Sequence, residues 1–200
     1  MEMEQKREAI AAFDRLIAKT LGEHPDRFIV ASLPGAGPVL EPRLIAAIGS
    51  IRERFDSAHS LNCYAGIAPV KESSGKACWI HWRWNCPKFI RQTFHEWAGC
   101  SIRYCIWARE FYDKKRAAGA DHHPAVRALA FKWIRIYYRC WRDRVPYSEA
   151  IYLESLRKSA VRTIPAKPTP PLPAAPASSP TLQIQWKNIA GFSKPTTIFA

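Results

Sequence analysis

Apolar residues at helical spacing open the chain. Ile10, Phe13, Leu16 (or Ile17) and Leu21, with polar residues between them, predict an amphipathic helix over 3–21, with Gly22 near its end. Residues 27–49 predict two short helices around a glycine hairpin, and in "DSAHSLNCYAG" Ser57 is the expected N-cap of a helix closed by Gly66. The helical period then lapses, and residues 67–86 read as irregular or extended. A first long helix is expected from about Pro87 to Ala118, with Ile90, Phe94, Trp97, Ser101, Cys105 and Ala108 on one face. A second is expected from about Pro124 to Arg142, opened by Asp121 or a neighbouring His, and a last one over Ser148–Lys158. From Pro165 to Pro180 the chain is proline-rich and cannot pack a core. The final twenty residues hold Trp186 and Phe192 with little periodicity, and no internal repeat is visible. The expected fold class is all-α: a compact helical domain over 25–160, a separate N-terminal helix over 1–24, and a disordered tail over 161–200.

Charge adds a partner class to this outline. Thirty Lys and Arg stand against 17 Asp and Glu, a net of +13, and the excess is concentrated. Residues 1–70 carry 8 basic and 9 acidic side chains, whereas 71–144 carry 16 and 6. Such a segment suits a polyanion such as nucleic acid, although a basic surface also serves plain solubility. The six cysteines form no C-x-x-C pair and no Cys/His ligand spacing, so no metal site is expected, and several read as small buried hydrophobes. There is no secretory signal pattern and no run of 18 apolar residues, which predicts no membrane span and a cytoplasmic protein with reduced thiols.

Three stretches carry candidate chemistry. "ASLPGAGPVLEPRLIAAIG", residues 31–49, has the L-P-G-x-G form of a helix-hairpin-helix, in which Gly35 and Gly37 let backbone amides face a phosphate. An ordinary αα-corner needing glycine for positive φ has the same residues. In the second long helix Val126, Leu129, Ala130, Trp133, Tyr137 and Cys140 share a face, and Lys132, Arg135, Arg139 and Arg142 fall roughly opposite, flanked by Phe131 and Tyr138. That mix suits phosphate contact and stacking, and equally a solvated cationic face. His122 and His123, adjacent in a polar stretch, are expected to be exposed and to hold no metal. Finally, "VKESSGKACWIHWRW" sets Ser73, Ser74 and Gly75 before a run of tryptophans and cations. Lys76, His81, Arg83 and Lys88 follow and suit a phosphodiester. No G-x-S-x-G and no Ser-His-Asp set accompanies the serines, so on spacing alone they are a turn.

The run "LPGAGPVLEPRLIAAIG", "LNCYAGIAPVKESSGK", "CPKFIRQTF" and "HHPAVRALAFKWIRIYYRCW" resembles the C-terminal domain of insertion-sequence transposases of the IS-one-ten family, the serine-type, bridge-RNA-guided recombinases. The resemblance covers about residues 25–158. It implies a serine nucleophile in the S-G loop, by motif position Ser74 with Ser73 its rival, that attacks a phosphodiester and forms a covalent link to DNA. It also implies an N-terminal RuvC-like domain whose carboxylates hold Mg²⁺, a helical segment joining the two, guide RNA, and homo-oligomers whose active sites combine domains. No RuvC-like carboxylate set can be placed here, and residues 1–24 look like the end of the linking coiled-coil-like segment. The chain is therefore expected to be a C-terminal fragment, either a truncated gene remnant or one half of a split reading frame, for which a RuvC-like domain could act in trans. The alternative is a non-catalytic DNA- or RNA-binding remnant.

Overall fold

The computed structural model describes residues 2–162, except 76 and 82; the proline-rich stretch lies outside the described residues. Eight α-helices and one small hairpin make up the described part: α1 Glu2–Glu23, α2 Arg27–Ala31, α3 Gly37–Ile48, α4 Ala58–Tyr64, β1 Val70–Ser74, β2 Ala77–His81, α5 Lys88–Tyr104, α6 Ile106–Ala117, α7 His122–Asp143 and α8 Glu149–Arg162. The all-α expectation holds apart from that hairpin. Ser57 caps α4 as expected, its Oγ accepting from Ser60 N at 3.1 Å.

The core forms around α7. Leu129, Trp133, Ile134, Tyr137 and Trp141 are fully buried, and they meet Phe94 and Trp97 of α5, Leu61 of α4 and Trp107 of α6 in one apolar cluster. Burying four indoles and two phenols requires a partner for each polar tip. Trp133 Nε1 donates to Ser101 Oγ (2.7 Å), Trp97 Nε1 to the Pro34 carbonyl (3.1 Å) and Trp141 Nε1 to the Gly49 carbonyl (2.9 Å). Trp107 Nε1 donates to Tyr147 Oη (2.8 Å), Tyr137 to the Leu44 carbonyl (3.2 Å) and Tyr138 to the Phe55 carbonyl (2.9 Å). Each bond joins segments distant in the chain, so the aromatic core also sets the register between helices.

The first long helix is broken in two. Cys105 is extended (φ −136°, ψ 121°), which ends α5 and starts α6. On a straight helix Trp97 and Trp107 would lie about 15 Å apart along the axis and about 80° apart around it. With the break, both rings pack on Trp133, at 5.0 and 4.7 Å between centroids. The residues assigned to the shared face, Ile90, Phe94, Trp97, Ser101, Cys105 and Ala108, are nonetheless all buried. The cysteines differ from expectation: Cys105 is buried, but Cys78 and Cys100 are exposed and the rest are half-buried. Burial pushes the Cys105 thiol up to about 11. In α1 only Leu21 is buried, and Ile10, Phe13, Leu16 and Ile17 stay exposed. Among the described residues no helix is long and apolar enough to cross a membrane.

Candidate functional site

Residues 70–81, expected to be irregular or extended, form an antiparallel ribbon. β1 and β2 pair Val70 with His81, Lys71 with Ile80, Glu72 with Trp79, Ser73 with Cys78 and Ser74 with Ala77. Gly75 opens the two-residue turn at φ +57°, a conformation that suits a residue without Cβ. Paired residues share a face and alternate along the strand. One face therefore carries Val70, Glu72, Ser74, Ala77, Trp79 and His81, and the other carries Lys71, Ser73, Cys78 and Ile80. The two candidate serines are thus separated: Ser74 shares its face with the Glu72–His81 pair (3.3 Å), and Ser73 points the other way. Both are exposed at the turn end of the ribbon. Lys76, the turn's second residue, lies outside the described residues.

The ribbon's exit is fastened to α4. Arg83 Nη2 approaches Cys63 Sγ at 3.7 Å, and Cys86 Sγ donates to the Arg83 carbonyl at 3.5 Å. Arg83 is half-buried in this role, while Lys88 at the start of α5 is exposed.

Gly35 and Gly37 have different surroundings. Leu33 and Ala36 are buried, and the Pro34 carbonyl accepts from Trp97, so the loop between α2 and α3 is pressed onto α5. A Cβ on Gly35 (φ +76°) would stand 2.9 Å from Ser101 N and 3.0 Å from the Cys100 carbonyl carbon. Gly37 (φ +59°) opens α3 and would meet nothing within 4 Å. The first amides of α3 have no intrahelical acceptor, and Gly37 is exposed at that end. Ser101 follows Lys88 by thirteen positions, about 20 Å along α5. The glycine loop and the serine ribbon therefore do not share one pocket.

The basic stripe of α7 also divides. Lys132 is half-buried with its ammonium 4.1 Å over the Phe111 ring. Its pKa is held below the ordinary lysine value by burial, and by Lys115, Arg135 and Lys114 nearby. The α6 lysines thus join Lys132 and Arg135 in one cationic surface, which the run "DKKRAAG" signals by composition only. Arg139 is exposed and faces Asp143 at 3.5 Å, and Arg142 donates to the Asp56 carbonyl (3.4 Å) and Tyr138 Oη (3.1 Å). Tyr138 is buried and bonded to the Phe55 carbonyl, so it does not flank the stripe as a free stacking ring. His122 and His123 are exposed, and Tyr112 Oη lies 2.8 Å from His122 Nδ1. Among the described residues no three His, Cys, Asp or Glu side chains come together to hold a metal ion.

Sequence comparison shows what this arrangement is similar to. Residues 28–113 match the family model described as "Transposase IS116/IS110/IS902 family". A mini-circle protein of Streptomyces coelicolor, named as a candidate transposase for IS117, is 32% identical over 127 residues, covering 64% of this chain and 31% of that protein. A 42 kDa protein of insertion element IS900 from Mycobacterium paratuberculosis is 32% identical over 142 residues, 68% of this chain and 35% of its own length. A 44.8 kDa protein of insertion element IS116 from Streptomyces clavuligerus is 29% identical over 144 residues, 72% and 36%. The chain spans about a third of the length of these relatives. The matched residues 28–113 hold the glycine loop, the serine ribbon, α5 and most of α6, so this part of the chain is similar to the IS116/IS110/IS902 transposase family.

Proposed function

We propose that this chain is the DNA-contacting, serine-bearing part of an insertion-sequence transposase and that Ser74 is its nucleophile. The observation that supports this best is the location of Ser74. It is exposed at the tip of a ribbon that lies in the basic part of the sequence, beside a glycine that leaves the turn unobstructed. In the reaction, a bond forms between Ser74 Oγ and phosphorus as the bond from phosphorus to a deoxyribose oxygen breaks. The serine proton passes to water, water supplies a proton to the departing deoxyribose oxygen, and that oxygen leaves as a hydroxyl. The phosphoserine ester conserves the phosphodiester, so a second hydroxyl can displace the serine and complete strand exchange. Gly37 would receive a backbone phosphate at the start of α3, and Lys88, Lys132, Arg135 and Arg139 would hold others without regard to sequence. Guide RNA, a homo-oligomer and a RuvC-like domain acting in trans complete the reading. Mg²⁺ would belong to that other domain.

The test is a covalent adduct with labelled element DNA on a denaturing gel, made in the presence of a RuvC-like domain from a relative, Mg²⁺ and guide RNA. Ser74→Ala is expected to abolish the adduct, and Ser73→Ala to retain it. An adduct that survives Ser74→Ala and disappears with Ser73→Ala transfers the role to Ser73. DNA binding without any adduct would make the chain a binding remnant.

Salt dependence tests the cationic surface separately. Replacing Arg135 and Arg139 by alanine is expected to reduce the slope of log affinity against log salt by about 0.9 for each lost duplex contact. A slope identical to the parent's would return these residues to a solvated face.

A further inference from the structure

Four buried tryptophans serve the core, but two others are turned outward. Trp79 is 50% exposed and Trp84 80% exposed, with Ile80 exposed between them. Among the described residues no hydrogen bond, ion pair or ring contact engages either indole. The ribbon that carries Trp79 is exposed on both faces along β2 and over all of β1 but Val70. A two-stranded ribbon without a buried face is marginal by itself in water. Exposed indoles on such an element indicate a missing contact rather than a core.

The register and the charge say what that contact is. Trp79 lies on the face of Ser74, on the diagonal one pair further along, where Cβ atoms stand about 7–8 Å apart. Beyond Trp79, a hollow lined by Val70, Glu72, His81, Arg83, Trp84 and Asn85 continues from the same face. Residues 70–91 hold five Lys and Arg and a single acid, Glu72, which His81 already engages. Aromatic faces set among cations beside a phosphate-reactive hydroxyl suit nucleic acid whose bases are free to stack. Bases inside an intact duplex are stacked on one another and hidden, so they cannot use such a platform.

We infer that Trp79 and Trp84 form a stacking platform for unpaired bases next to the phosphodiester presented to Ser74, so that the preferred ligand of the ribbon is single-stranded or locally unpaired nucleic acid. This rests on the nucleic-acid reading proposed above and extends it from backbone contact to the state of the bases. Trp79 holds a base within one nucleotide of the Ser74 hydroxyl. Trp84, outside the strand ladder, holds the next at the ribbon's base.

The test is anisotropy titration of the full chain with a labelled mixed-sequence DNA oligonucleotide, single-stranded and as its blunt duplex, at one salt concentration. Trp79→Ala and Trp84→Ala are each expected to weaken single-strand binding between about fivefold and a hundredfold, and duplex binding less than about twofold. Trp79→Phe should retain most of the affinity. Trp84→Ala leaves the ladder untouched, so its result stands even where Trp79→Ala unfolds the ribbon. Equal losses on both DNAs, or single-strand binding unaffected by either change, would overturn the inference while salt-dependent duplex binding kept the broader reading. Variants that alter only self-association in sedimentation, or only retention on anionic phospholipid vesicles, would assign the platform to a second copy or to a membrane and overturn it too. A chain that binds neither DNA would remove both readings.

Discussion

Replacing Arg52 with alanine is expected to destabilise the domain by about 3–5 kcal/mol, the cost of leaving one member of a buried ion pair alone. The Arg52 and Asp26 side chains are only 15% and 10% exposed. Both guanidinium Nη atoms donate to the carboxylate, Arg52 Nη1 to Asp26 Oδ2 at 3.0 Å and Nη2 to Oδ1. The guanidinium also lies 4.6 Å over the Trp141 ring, whose own N–H bonds the Gly49 carbonyl. The pair therefore fastens the segment before α2 and the turn after α3 to the end of α7. Truncation removes the cation, the stacking and the bidentate bond together, and leaves a carboxylate facing apolar surface. Urea unfolding measures the loss, and Asp26→Asn in the Arg52→Ala background should recover part of it by removing the stranded charge. A loss under about 1 kcal/mol would show that water reaches Asp26 and that the clamp contributes little.

The second large effect is at Gly35. Gly35→Ala is expected to cost about 2–5 kcal/mol: about 1–2 for a left-handed backbone with a Cβ, and about 1–3 for forcing that atom into α5. The contact is with backbone at Ser101 and Cys100, which cannot rotate aside as a side chain would. Gly37→Ala is the control, because its φ is also positive but the space around it is open. It should cost only the backbone term, about 1–2 kcal/mol, and its effect should appear in DNA affinity as well as in thermal stability. Equal losses at the two positions would mean that the loop does not pack on α5 as described. With the difference found, Gly35 is the residue that seats the loop and Gly37 the one left free to meet a phosphate.

The local code was legible where one element settles its own pattern. The buried face of α7 from Val126 to Tyr137, the Ser57 cap and the glycine loop all follow from spacing and backbone preference within a few residues. The motifs that carry the transposase resemblance also lie in contiguous runs, so that resemblance was legible without coordinates, and the family model matches within it over residues 28–113. Less of the site was legible. Tyr138 has the right helical angle to flank the cationic stripe, yet its hydroxyl finds the Phe55 carbonyl, 83 positions away, and the ring goes inside. Lys114 and Lys115 gather beside Lys132 only because α6 folds back at Cys105, a break that packing of Trp107 on Trp133 selects against a continuous helical pattern.

By itself, then, the sequence determined most of the helices, their apolar faces, the basic bias of the middle of the chain and a resemblance to a transposase family, since each depends on neighbours within a turn or on a contiguous motif. Only the tertiary structure decided that Ser74 shares its face with Glu72, Trp79 and His81, that Gly35 packs on α5 while Gly37 is open, and that Trp79 and Trp84 stay exposed. Those outcomes depend on strand register and on contacts between segments far apart in the chain, and no local period encodes either.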